Sequence, residues 1–112
     1  AAKGLDQDVF DDLTREYATI DFEAYGETLA RLGEHDASDL VHKIHVPALI
    51  ITGTRDFFTP LETIRSMART IPDAELVVVE GGTHYTAVEY PDEVNAEILA
   101  YLKKIKYGPL GA

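Results

Sequence analysis

Two short runs limit what this chain can become: "VPALIITG" at 46–53 and "ELVVVEG" at 75–81. Neither shows the alternation of a half-exposed strand, so each reads as a β-strand buried on both faces. The loop "TRDFFTP" follows the first run, and then Leu61, Ile64, Met67, Ala68 and Ile71 recur at helical spacing until Pro72-Asp73. Two strands joined through one helix make a right-handed parallel crossover unit. Strands of this kind lie inside a sheet covered by helices on both sides, and two strands alone are marginal in water. The chain is therefore expected to be part of a larger sheet. The remainder would be an upstream segment, a cleaved partner, or another copy of the chain in a homo-oligomer.

The remaining segments read as helices. Leu5, Val9, Leu13, Tyr17 and Ile20 form one apolar stripe, and Phe22, Tyr25, Leu29 and Leu32 form a second. Asp21 reads as the cap between them, and Gly33 stands where the second helix stops. "DASDLVHKI" predicts one or two helical turns capped by Asp36 or Ser38. Thr59-Pro60-Leu61-Glu62 resembles a capping box, with Glu62 reaching back to Thr59. A last helix is expected from about Pro91, with Val94, Ile98, Tyr101, Leu102 and Ile105 on its inner face. These readings divide the chain into a helical segment at 1–45, an α/β unit at 46–107 and a loose tail at 108–112. The 112 residues suit one small domain.

Composition excludes several functions. A formal net charge of −10 opposes binding to nucleic acid or anionic membranes, whose phosphates attract positive patches. With no cysteine there is no disulfide, no thiolate metal site and no thiol nucleophile. No stretch has the ~20 apolar residues of a membrane span, and the start does not read as a signal peptide. The cytoplasm is the expected compartment. The first residue is Ala1 rather than Met, so the true start of the gene product is expected to be absent. His35, Asp39 and His42 share a helical face near His45, but the spacing fits no known zinc signature. A solvated, capping stretch is expected there, with no metal and no cofactor.

The chemistry gathers on the loops that follow the two strands. Open parallel sheets bind ligands at the edge formed by the C-terminal ends of their strands. One such loop carries Asp56 in "GTRDFFTP" and the other carries His84 in "GGTHYT". If the strands are neighbours, both side chains enter one crevice. There a carboxylate can fix the tautomer of the imidazole and stabilise its protonated form. The plainer alternatives are a turn or cap aspartate and a histidine bonded only locally. Phe57, Phe58 and Tyr85 adjoin this pair, either as the lining of a substrate pocket or as core packing. Ser38 and Ser66 are the only serines, and neither follows a strand or has glycine neighbours.

"VPALIITGTRDFFTP" together with "IPDAELVVVEGGTHYTAVEYPDEVNAEILAYL" resembles the C-terminal part of an α/β-hydrolase, of the esterase- or lactonase-like serine hydrolase kind. The resemblance covers residues 44 to about 105, and more loosely the helices before it. It implies the C-terminal β-α-β-α part of a parallel α/β-hydrolase sheet, preceded by cap or cap-to-core helices. It implies that Asp56 and His84 are the acid and histidine of a catalytic triad, in the family order nucleophile, acid, histidine. The Gly-x-Ser-x-Gly elbow does not occur, so the nucleophile is expected on an upstream segment or a partner chain. The expected reaction is hydrolysis of an ester or related carboxylic derivative. Two alternatives stay open. One is a dehalogenase or epoxide hydrolase with an upstream aspartate nucleophile; the other is a non-catalytic, self-associating half-domain or binding module.

Overall fold

The structure, a computed structural model, describes residues 5–107, so the tail expected at 108–112 lies outside the described residues. Helices α1 (Gln7–Tyr17) and α2 (Phe22–Gly33) come first, followed by a 3-10 turn at Val41–Lys43. Strand β1 (Ala48–Gly53), helix α3 (Leu61–Thr70) and strand β2 (Ala74–Val79) form the α/β unit. A single turn, α4 (Thr86–Glu89), precedes α5 (Pro91–Lys104).

The strands pair in parallel, in register from Ala48 with Ala74 to Gly53 with Val79. Among the described residues they make a two-stranded sheet. Helix α3 packs on both strands and α5 on β1. The core is small: Ile71, Val79, Val94 and Tyr101 are its buried apolar side chains. The expectation of strands buried on both faces needs correcting. Only Thr52, Gly53 and Val79 are buried, and the other strand residues are half-buried. With no third strand and two helices for cover, the sheet lacks the neighbours its sequence calls for. Helices α1 and α2 bury none of their own residues. Most of their stripe residues, Phe22 and Leu32 included, remain exposed, and Leu13 is half-buried.

The local signals explain most boundaries. The Asp6 carboxylate accepts from the N–H groups of Asp8 at 2.8 Å and Val9 at 3.4 Å, opening α1. Asp21 does the same for α2, accepting from Glu23 at 3.0 Å and Ala24 at 3.2 Å. Helix α1 stops at Tyr17, so Ile20 falls in the connection and not on the stripe predicted to include it. Asp36 accepts from the Ser38 N–H at 2.9 Å and so caps a turn, while the 3-10 turn has no side-chain cap. The capping box at Thr59–Glu62 does not form. Pro60 is the cap residue, and the Thr59 hydroxyl donates to Asp56 at 2.6 Å. Glu62 pairs with Arg69 at 2.9 Å. A nearly buried carboxylate has outcompeted the helix end for the hydroxyl.

Candidate active site

The ends of β1 and β2 bring the two loops together through an unusually close backbone approach. A Cβ on Gly53 would lie 2.0 Å from the carbonyl oxygen of Gly82, so only glycine fits there. Arg55 N–H donates to that same carbonyl at 2.8 Å, Thr54 N–H to Val79 O at 3.1 Å, and Gly81 N–H to the Thr54 hydroxyl at 2.8 Å. Gly81 has φ +84°, a left-handed turn that aims the following residues back across the strand end.

Asp56 sits inside this junction, with its side chain 8% exposed. One carboxylate oxygen accepts from the N–H groups of Phe58 at 3.0 Å and Thr59 at 3.1 Å. The other accepts from the Thr59 hydroxyl at 2.6 Å and faces Nδ1 of His84 at 3.1 Å. Burial is the largest single influence on this carboxyl and pushes its pKa up. The bonds from the Thr59 hydroxyl, the Thr59 N–H, His84 and the Phe58 N–H together outweigh it and bring the pKa down to about 2. The group is a fixed anion at neutral pH. Its bond to Nδ1 favours the tautomer with the proton on that nitrogen, which leaves Nε2 with a free lone pair.

His84 is 49% exposed in its side chain, accessible to a reactant on one side. The Phe58 ring lies 5.1 Å from the imidazole, tilted by 53°, and the Tyr85 ring lies 5.9 Å away, edge-on at 82°. The loop is clamped from behind by Glu89, which accepts from the Thr83 N–H at 2.8 Å and the Thr83 hydroxyl at 2.6 Å. The Tyr85 hydroxyl shares a hydrogen bond with that of Tyr17 on α1.

The structure thus brings Asp56 and His84 into one hydrogen-bonded pair, with Phe58 and Tyr85 beside it. Phe57 and Phe58, at 85% and 78% exposed, are not core residues. Tyr85 borders a cavity of about 270 Å³ against α1, together with Phe10, Leu13 and Tyr17. Ser38 and Ser66 border a different groove of about 620 Å³, between α3 and the 35–41 segment, whose lining includes neither Asp56 nor His84. Among the described residues no three His, Asp or Glu side chains are grouped to hold a metal. Sequence reading missed the bonds of Thr59 to Asp56, of Thr83 to Glu89 and of Tyr17 to Tyr85. Thr and Glu are common loop residues, and no spacing marks which of them will turn inward.

Comparison with known proteins shows the family and fold. A family model described as TAP-like protein matches residues 29–108. The chain is 36% identical over 64 residues to the proline iminopeptidase PfmaB of Pestalotiopsis fici, covering 57% of this chain and 23% of that protein. It is 35% identical over 75 residues to a non-heme chloroperoxidase of Kitasatospora aureofaciens, covering 64% of this chain and 27% of the other. In three dimensions it superposes on a thermophilic esterase from Thermogutta terrifontis with a TM-score of 0.60 and 34% identity, covering 62% of this chain and 26% of the esterase. The chain therefore spans about a quarter of the length of these relatives.

Proposed function

We propose, for a chain that belongs to the TAP-like protein family of α/β-hydrolases, that Asp56 and His84 are the acid and base of a catalytic triad. The nucleophile would lie on another part of the same protein or on a partner chain. The observation that carries this reading is the 3.1 Å bond from His84 Nδ1 to a nearly buried carboxylate at the C-terminal edge of a parallel sheet. In the proposed reaction His84 Nε2 removes the proton from an incoming serine hydroxyl as that oxygen adds to a carbonyl carbon. Asp56 stabilises the imidazolium that results. The imidazolium then protonates the leaving group, and a water repeats the sequence to free the acid and restore the hydroxyl.

The substrate class we favour is an ester or related carboxylic derivative. One structural neighbour is an esterase and one relative is named a proline iminopeptidase; ester and peptide bonds both place a heteroatom on the carbonyl carbon. The second reading is an upstream aspartate nucleophile, since His84 and Asp56 would serve there equally; the chain is also 36% identical over 64 residues to bifunctional epoxide hydrolase 2 of Rattus norvegicus, covering 57% of this chain and 12% of that protein.

The test uses the whole protein that carries this chain, with p-nitrophenyl acetate as an ester probe and a prolyl p-nitroanilide as an amide probe. Hydrolysis of the ester is expected. Asp56→Asn should lower kcat by about 10⁴-fold, as expected when the orienting acid of a triad is lost, and His84→Ala by at least as much. Turnover that survives His84→Ala within a factor of ten would overturn the proposal.

A further inference from the structure

Helix α1 belongs to the N-terminal helical segment, yet it touches the His84 loop at one polar point. The Tyr17 and Tyr85 hydroxyls share a hydrogen bond across a sequence separation of 68. Tyr85 is the residue after His84, and its ring stands edge-on to the imidazole at 5.9 Å. The backbone on either side is held: Thr83 by Glu89, and Tyr85 N–H by the Thr83 hydroxyl at 3.2 Å. With the main chain fixed, the remaining freedom of Tyr85 is the rotation of its side chain. That rotation decides whether the ring edge meets the imidazole. The residue is 43% exposed, so packing covers the ring only in part. Among the described residues, Tyr17 is the hydrogen-bond partner of its hydroxyl from outside the loop.

We propose that Tyr17 is a positioning residue: by holding the Tyr85 hydroxyl it keeps the Tyr85 ring against His84 and so limits the swing of the imidazole. The inference rests on the reading of His84 as the base, but its physical content is separate. A histidine ring tethered to Asp56 through Nδ1 alone can still pivot about that bond. Phe58 and Tyr85 flank it, and Tyr85 is the flank that α1 controls. A cavity walled by Phe10, Leu13, Tyr17 and Tyr85 lies between α1 and the loop beside this contact. Engagement of α1 with the loop is therefore a variable that acts on the base without touching substrate. The Tyr85 phenol carries a second mark of the contact. Its pKa is raised, first by the bond to Tyr17, then by burial and by the neighbouring Tyr17 and Tyr25 phenols.

The experiment compares the whole protein with its Tyr17→Phe and Tyr85→Phe variants, each lacking one hydroxyl and no ring. The His84 imidazole is followed by ¹⁵N NMR after histidine labelling, and phenol ionisation by absorbance near 295 nm. In Tyr17→Phe the His84 ring resonances should shift and broaden, and one tyrosine should titrate at lower pH than in the parent. Tyr85→Phe should give the same change at His84, and the double variant no further change, because a single bond is removed each time. If the ester probe is turned over, kcat should fall about three- to tenfold with little change in KM, on the scale of one lost neutral hydrogen bond. His84 resonances identical to the parent in both folded variants would overturn the inference. Should Tyr17→Phe not fold, Tyr85→Phe reads the same bond from the other side. A missing hydrolase activity alongside shifted His84 resonances would instead count against the functional reading and leave the positioning role standing.

Discussion

At Asp56, four donors surround one carboxylate: two N–H groups, one threonine hydroxyl and one imidazole. This arrangement has a consequence for acid stability. The folded-state pKa of about 2 lies below the ordinary 3.8, so the carboxylate contributes stability that is fully present above pH 3.8 and is lost as pH falls toward about 2. Thr59→Val removes the hydroxyl donor while keeping side-chain volume close. The variant should be less stable at neutral pH, and its unfolding midpoint should depend less steeply on pH across that same window, followed by denaturant titration at several pH values. Asp56 and His84 were legible in the sequence because each follows a strand on a loop containing glycine. Thr59 was legible only as a residue type. Its side chain has two possible partners, the N–H groups at the helix start, from which its oxygen would accept, and the Asp56 carboxylate, to which its hydroxyl donates, and which one it turns to depends on burial that no local pattern encodes.

The elements repeat this division between pattern and context. Strand positions followed from uninterrupted apolar runs, and the start of α2 from Asp21, because periodicity and capping are properties of a few adjacent residues. The short α4 turn was not foreseen. It forms where Thr86 N–H reaches Thr83 O at 3.0 Å and Glu89 folds back on Thr83, a loop stabilised by its own side chains with no apolar stripe to announce it. The glycines at the strand ends were legible as turn residues, but the reason for them is tertiary: β1 and β2 finish with their backbones in contact. Gly53→Ala should therefore cost ~3 kcal/mol or more, since the new methyl meets backbone and not a side chain that can move. Gly33→Ala, with open space around its Cβ position, should leave stability unchanged or raise it. Thermal melts of the two variants provide the comparison.

For the whole molecule, the two-stranded sheet and the exposed stripes of α1 and α2 leave apolar surface and strand edges uncovered. Thr52 adds a finer sign of the same condition. It is 5% exposed, yet its hydroxyl has no hydrogen-bond partner among the described residues. An orphaned buried hydroxyl costs on the order of 1–3 kcal/mol. We expect the 112-residue chain, expressed by itself, to associate in a concentration-dependent way, and sedimentation velocity over a tenfold range of loading would detect it. A monomer at every concentration would mean that the small core suffices. The net charge of −10 works against association, so the effect should strengthen as salt is added.

The hydrogen-bonded Asp56 and His84 stand 28 positions apart on one continuous stretch of chain. Their mutual geometry is set by β1, β2 and the backbone contact between Gly53 and Gly82, all within residues 48–84. On the function proposed above, a gene exchange that breaks ahead of β1 would carry the proton-handling half of a site into a new host in one piece. The host would need to supply only what is to be activated and what is to be recognised. Heredity can thus vary those two properties on one side of the breakpoint without retuning the pair on the other.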